Sequence, residues 1–235
     1  MDHCCSCGDA APRAGPDRVA WQDHGLRALN NPPGPRRSPE IGLITQGPPG
    51  KNGHMLRGDK IGLRARHEAD VPILHAELYD DVATRSKADF RPWRPIAPGC
   101  AASPFAVTGP ADDVACFSVV ELAAGELAGD ALLWGIDLHN RAAHVGISLR
   151  PAFRGRGLST DVVRVLCGYG FATRGLHRLQ VETLAGNAAM RRAAVAAGFV
   201  QEGTLRRSAW VSGYFVDEVI LGLLAAEWKP PEKPA

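Results

Sequence analysis

Leu149 to Thr160 reads LRPAFRGRGLST, a glycine-rich arginine loop set between a strand pattern and a helix pattern. Before it, in AAHVGISL, Val145, Ile147 and Leu149 alternate with His144, Gly146 and Ser148 until Pro151 ends the run. After it, Leu158, Val162, Val165, Leu166 and Tyr169 recur at helical spacing, and Gly175 supplies a stop. The glycines therefore sit where a helix begins. There, several backbone N–H groups lack intrahelical partners and the macrodipole is positive, while Gly155 and Gly157 carry no Cβ to hold an anion away. A pyrophosphate suits such a site. Taken alone, however, the loop is equally well an ordinary connection with two solvated arginines.

Two common phosphate loops are excluded by spacing: GRGLST lacks the third glycine of GxGxxG, and no Lys-Ser/Thr pair follows a GxxxxG. The GPPGKNG stretch at Gly47 to Gly53 has its lysine before Asn52 and no apolar helix after it, so it reads as linker. The spacing that fits is RxxGxG/A, with Arg154, Gly157 and a serine, Ser159, at the last small position. With it the chain resembles the GNAT N-acetyltransferases. The resemblance continues through HRLQVETLAGN, which ends at Asn187, and through AAMRRAAVAAGF, which ends in Gly198-Phe199. It then takes in Gly213, Tyr214, Asp217 and Glu227-Trp228 in SGYFVDEVILGLLAAEW. This last stretch is similar to the closing hairpin of the subfamily containing the ribosomal-protein N-terminal acetyltransferases. LRGDKIGLRARHEADVPIL and RPWRP at Arg91 to Pro95 are similar to the opening of the same subfamily, so the match runs from about Arg57 to Trp228.

That resemblance implies an α/β (α+β) fold, a mixed central sheet flanked by helices in which two central strands splay apart. It implies acetyl-CoA as acyl donor. Main-chain groups of Ile147, Ser148 and Leu149 would meet the pantetheine arm, the loop from Arg154 through Gly155, Arg156, Gly157, Leu158, Ser159 and Thr160 the pyrophosphate, and Asn187 the arm. Asn187 also suits a plain helix N-cap. The acceptor would be a primary amine, a protein N-terminal α-amine by subfamily, attacking the thioester directly in the manner of an acyltransferase. A backbone N–H of the first splayed strand would stabilise the oxyanion. Amines with pKa about 8 to 10 are mostly protonated at neutral pH, so a base is needed. Glu182 occupies the matching position for one, with a solvated strand carboxylate as the alternative. His144 is the rival, since a neutral imidazole can accept a proton. Trp93, Trp134 and Tyr214 are aromatic candidates for an acceptor wall or for plain packing, with Trp93 and Tyr214 the preferred pair. Two departures bear on mechanism: Ala194 stands where many of these enzymes have a tyrosine acid, and Met190 where a serine is common. A small-molecule acceptor, or an acyl-CoA-binding module without turnover, are the alternatives these departures keep open.

The 235 residues, 45 % hydrophobic and 22 % charged, suffice for one core. A net charge of +2 with scattered arginines gives no basic stripe, so nucleic acid is not expected as a partner. The longest apolar run, Val219 to Ala226, falls far short of the ~20 residues of a spanning helix, and MDHCCSC lacks an apolar signal core. A cytoplasmic protein with no membrane partner is expected; a homodimer is compatible with the fold. His3, Cys4, Cys5 and Cys7 crowd into one tail without the two spaced pairs of a closed zinc site, so no metal is expected, and Cys100, Cys116 and Cys167 read as small buried hydrophobes. Residues 1–56 hold eight of the 18 prolines and little apolar periodicity, which predicts a disordered extension. The catalytic domain is expected over 57–228 and a short tail over 229–235. Because domain-like sequence starts just after Met55, the first 54 residues are expected to be dispensable or an upstream-extended reading of the start.

Overall fold

A computed structural model describes residues 55–86, 89 and 91–230; the predicted extension, its cysteines and most of the tail lie outside them. Eight strands form one sheet in the order β1-β2-β3-β4-β5-β6-β8-β7. The first five, β1 (Leu56–Arg57), β2 (Ile61–Arg64), β3 (Val114–Glu121), β4 (Glu126–Asp137) and β5 (Ala142–Leu149), are antiparallel neighbours. β4 takes in Glu126 to Asp130 at its start. Its Leu-Ala-Gly-Asp start carries no β-branched residue, so pairing with β3 makes it a strand where propensity does not.

Between β2 and β3 run α1 (Asp70–Leu74), which continues as a π-helical turn over His75–Tyr79, and α2 (Val82–Arg85). From β5 the chain crosses through α3 (Leu158–Gly168) to β6 (Arg178–Leu184), which lies parallel to β5. α4 (Ala188–Ala196) and the hairpin β7 (Val200–Val211) and β8 (Tyr214–Leu224) complete the sheet. The hairpin turns at Ser212 and Gly213, both with positive φ (49° and 95°), the backbone twist a two-residue hairpin needs.

Alternation divides the sheet into two faces. Ala143, Val145 and Leu149 of β5, Leu179 and Val181 of β6, and Val219, Leu221 and Leu223 of β8 pack against the apolar stripe of α3, including Leu158, Val162 and Leu166. The opposite face is covered in patches. Val71, Leu74, Leu78, Tyr79 and Phe105 cover it near α1, and Leu184, Ala209 and Val211 form a small cluster near the hairpin.

Charge holds the α1 side. Asp70 takes both Arg64 guanidinium nitrogens at 2.7 and 2.8 Å, Ser118 Oγ at 2.7 Å and the His67 N–H at 2.9 Å. Burial works against its charged form, but these donors outweigh it and hold the carboxyl down at about 2. Beside it, buried Arg66 pairs with Asp130.

Of the three cysteines, Cys167 is buried, its thiol pushed up to about 12 by desolvation, and Cys116 is half-buried. Cys100, expected in the core, is exposed: it follows Pro98-Gly99 in the irregular connection before β3. Among the described residues no helix is long and apolar enough to cross a membrane, and no group of three or more potential ligands could hold a metal ion.

Candidate active site

β5 and β6 part company early. They pair only at Ala142, Ala143 and His144 with Arg178, Leu179 and Gln180, although β5 follows β4 to Leu149 and β6 follows β8 to Leu184. A notch therefore opens between them, its apex at His144 and Gln180. The Arg150 N–H donates to the Ala128 carbonyl across β4 at 2.9 Å, which fixes which residues face which way. By strand alternation the main-chain groups of Gly146 and Ser148 turn toward β4, and those of Ile147 and Leu149 turn into the notch. Ser148 was expected to offer its main chain there; the register corrects this, since its N–H and C=O belong to the β4 ladder. The Leu149 carbonyl is also occupied, by Arg154 Nε at 2.8 Å. What remains toward the notch is both polar groups of Ile147 and the N–H of Leu149.

The loop enters α3 at the wide end of this notch. Gly155 and Gly157 have φ of 74° and 75°, the left-handed region where a side chain is strained. A Cβ on Gly155 would meet nothing within 4 Å, and one on Gly157 only Lys60 Nζ, at 3.6 Å. Gly157 is the N-cap of α3, so the backbone donors of Leu158, Ser159 and Thr160 are the leading N–H groups of the helix. Both arginine side chains are engaged. Arg154 clasps the strand end as described, and Arg156 pairs with Glu121 at 3.2 Å while lying over the Phe153 ring. What the loop leaves open is thus main chain, with the guanidinium groups bracing it.

Sequence reading missed what fixes the cradle. Buried Asp161, in the first turn of α3, accepts from the N–H groups of Asp59, Lys60 and Ile61 at 3.1, 2.7 and 3.1 Å. This ties the start of β2 to α3 and brings Lys60 beside Gly157. Gly58 permits the approach, because a Cβ there would lie 2.4 Å from the carboxylate. A first-turn acidic residue was the one local signal; its partners lie about a hundred residues upstream.

At the apex, the two rival bases are neighbours. His144 Nδ1 lies 3.7 Å from Glu182 Oε1, which accepts from Gln180 Nε2 at 2.7 Å. The Trp134 ring stacks on the His144 ring with centroids 4.2 Å apart and planes 20° from parallel. A bulge in β4 after Trp134, with Gly135 at φ 57°, lets that ring lie flat; His144 Cδ2 sits 3.2 Å from where a Cβ on 135 would be. His144 Nδ1 is buried and has no hydrogen-bond partner among the described residues, 3.7 Å being too long. About a quarter of each side chain is exposed, so solvent or a small ligand reaches the pair.

Asn187 caps α4, its Oδ1 accepting from the Met190 N–H at 3.2 Å and its Nδ2 donating to Thr183 Oγ1 at 3.0 Å. Ala194 is fully buried in the main core. Trp93 and Tyr214 are not at the apex. Trp93 lines a 370 Å³ pocket with Asp89, Trp210, Val211 and Ser212 at the hairpin tip, and Tyr214 follows in the turn with 61 % of its surface exposed. Trp134, the third aromatic candidate, is the one that touches the His144–Glu182 pair.

The family model for the acetyltransferase (GNAT) domain matches residues 60–200. The chain belongs to that family. It is 33 % identical over 105 residues to YdaF of Bacillus subtilis, which carries the name ribosomal N-acetyltransferase; the match covers 45 % of this chain and 57 % of YdaF. Among solved structures, the spermidine N-acetyltransferase of Vibrio cholerae, in complex with CoA and spermine, superposes with a TM-score of 0.59. It is 20 % identical over 72 % of this chain and 97 % of that one. RimL, the ribosomal L7/L12 alpha-N-protein acetyltransferase in complex with CoA, superposes at 0.58, also 20 % identical, over 73 % of this chain and 98 % of its own. These likenesses establish the GNAT fold with its mixed sheet.

Proposed function

We propose that this chain is an acetyl-CoA-dependent N-acetyltransferase that acetylates a primary amine, most simply a protein N-terminal α-amine. The observation that carries this reading is the β5–β6 notch, which joins a main-chain anion cradle at its wide end to the His144–Glu182 pair at its apex. Acetyl-CoA supplies the acyl group as an activated thioester. The N–H groups at the start of α3 hold the pyrophosphate, Gly155 and Gly157 allow it to approach, and Ile147 and Leu149 offer main-chain partners to the pantetheine arm. Asn187 keeps its capping role and orients the β6 end of the notch, and Ser148 contributes position only.

Glu182 receives the proton that the attacking amine must lose. Its hydrogen bond from Gln180 holds the carboxylate in place, and His144 lies close enough to share the charge. With Ala194 where a tyrosine acid is common, the departing thiolate takes its proton from solvent. Trp134 walls the apex, and Trp93 and Tyr214 bound the far end of the acceptor path. Likeness to both a spermidine acetyltransferase and a ribosomal-protein acetyltransferase leaves small amines as the second reading of the acceptor.

The test is titration of the full chain with acetyl-CoA, followed by turnover across peptides with free N-termini and small amines. Saturable binding with N-acetylated product is expected. Binding without turnover would leave an acyl-CoA-binding module, and no binding would overturn the assignment.

A further inference from the structure

On the face that carries Glu182 there is a second carboxylate with no evident occupation. Glu218 of β8 is 9 % exposed, yet has no hydrogen-bond or ion-pair partner among the described residues. Register puts it on the same face. Leu184 lies opposite Glu218 and Glu182 opposite Ile220, so Glu182 and Glu218 are diagonal neighbours, about 7–8 Å apart along the sheet. Around Glu218 that face is apolar, with Leu184, Ala209, Val211 and Val216 packed together. Arg178, the cation on β6 and β8, sits at the other end of the face and is taken by Glu202. Arg206 and Arg207 of β7 follow Leu205, the residue opposite Glu218, and are exposed with no bond to its carboxylate.

Most of Glu218 is covered while its carboxylate oxygens keep an opening to solvent, which leaves them available to a cationic ligand. We propose that Glu218 is the anchor for the acceptor's ammonium group, forming with Glu182 a two-carboxylate subsite that selects cationic amines lacking a neighbouring carboxylate. The inference rests on the proposed acetyl transfer. An amine held between the two carboxylates arrives protonated, as it is in water at neutral pH. It donates charge-assisted hydrogen bonds to Glu218, and gives up one proton to Glu182 before attack. A free amino acid carries its own carboxylate next to the amine, and two acidic side chains repel it. A peptide N-terminus or an amino-acid amide carries none. The pocket lined by Trp93, Trp210 and Val211 lies beyond Val216 toward the hairpin tip, in line to receive the rest of a longer acceptor.

The test compares L-alaninamide, an alanyl peptide and free L-alanine as acceptors for the full chain and for Glu218→Gln and Glu218→Asp. For the unaltered chain, kcat/KM with alaninamide should exceed that with alanine by about tenfold or more. Glu218→Gln should raise KM for alaninamide by about tenfold, change kcat little and narrow the preference over alanine, while Glu218→Asp recovers part of the loss. Acetyl-CoA affinity should be unchanged and the melting temperature equal or higher, since an unpaired charge has been removed. An unaltered KM in Glu218→Gln overturns the inference. So does a lowered melting temperature with loss of acetyl-CoA binding, which would mark Glu218 as structural. If the unaltered chain binds acetyl-CoA but acetylates no amine, the proposed function falls first and this inference with it.

Discussion

The two ends of the β5–β6 notch are built on opposite principles. At the wide end nearly every polar side chain is committed to the protein: Arg154 to Leu149, Arg156 to Glu121, Asp161 to three backbone donors. What is left open is main chain. At the apex and along the adjoining face the main chain is in ladders and the side chains are left with spare capacity, as in His144 Nδ1 and the Glu218 carboxylate. A shape read by backbone suits a donor that is always the same molecule; free side-chain valence suits an acceptor that differs among relatives.

The largest effect should come from breaking the backbone end. Gly157→Leu puts a side chain into a left-handed position on the phosphate path, so acetyl-CoA binding should vanish in calorimetry. The fold should survive, since strain there costs roughly 1–2 kcal/mol. Next is the side-chain end. Glu182→Gln should lower kcat about a hundredfold with acetyl-CoA affinity unchanged, the range expected of a lost general base. His144→Ala should cost less, and the double variant no more than Glu182→Gln alone, because groups 3.7 Å apart act as a unit. Full activity in Glu182→Gln would remove it as base.

How far these ends are legible in sequence follows the same division. The loop is local: Gly155, Gly157 and the helix that follows are contiguous, so spacing finds the strand, loop and helix start but not what the loop holds, and Asn187 reads as a cap for the same reason. The apex depends on which strand residues face each other. His144 and Glu182 could be named as rivals but not as neighbours, and Ser148 was assigned to the notch because its parity is fixed only by the Arg150–Ala128 bond. Glu218 gives no local signal, since which residues face it from β6 and β7 is set by register. Trp93 and Tyr214 belong to the acceptor side only if the path from hairpin tip to apex is used.

Asp161 sharpens the comparison from the supporting side. Asp161→Ala leaves the N–H groups of Asp59, Lys60 and Ile61 without their acceptor, and should cost about 2–3 kcal/mol in denaturant unfolding. It should also weaken acetyl-CoA binding severalfold as Lys60 and the loop lose their tie, with kcat nearly unchanged.

The smallest effect on acetyl transfer concerns neither end. Asp70, held at about 2 against an unfolded value near 3.9, adds stability that is fully present above the unfolded pKa and lost as pH falls through the folded one. Stability of the unaltered chain should therefore decline between about pH 5 and pH 2 more steeply than that of Asp70→Asn, measured by urea unfolding at a series of pH values.

The most direct test of the account is calorimetric titration of acetyl-CoA into the full chain and into Gly157→Leu, with the fold of each checked by circular dichroism. One saturable site in the unaltered chain and none in the folded variant is the predicted result. Equal binding by both, or binding by neither, would contradict the assignment of the Gly155–Gly157 cradle to the coenzyme.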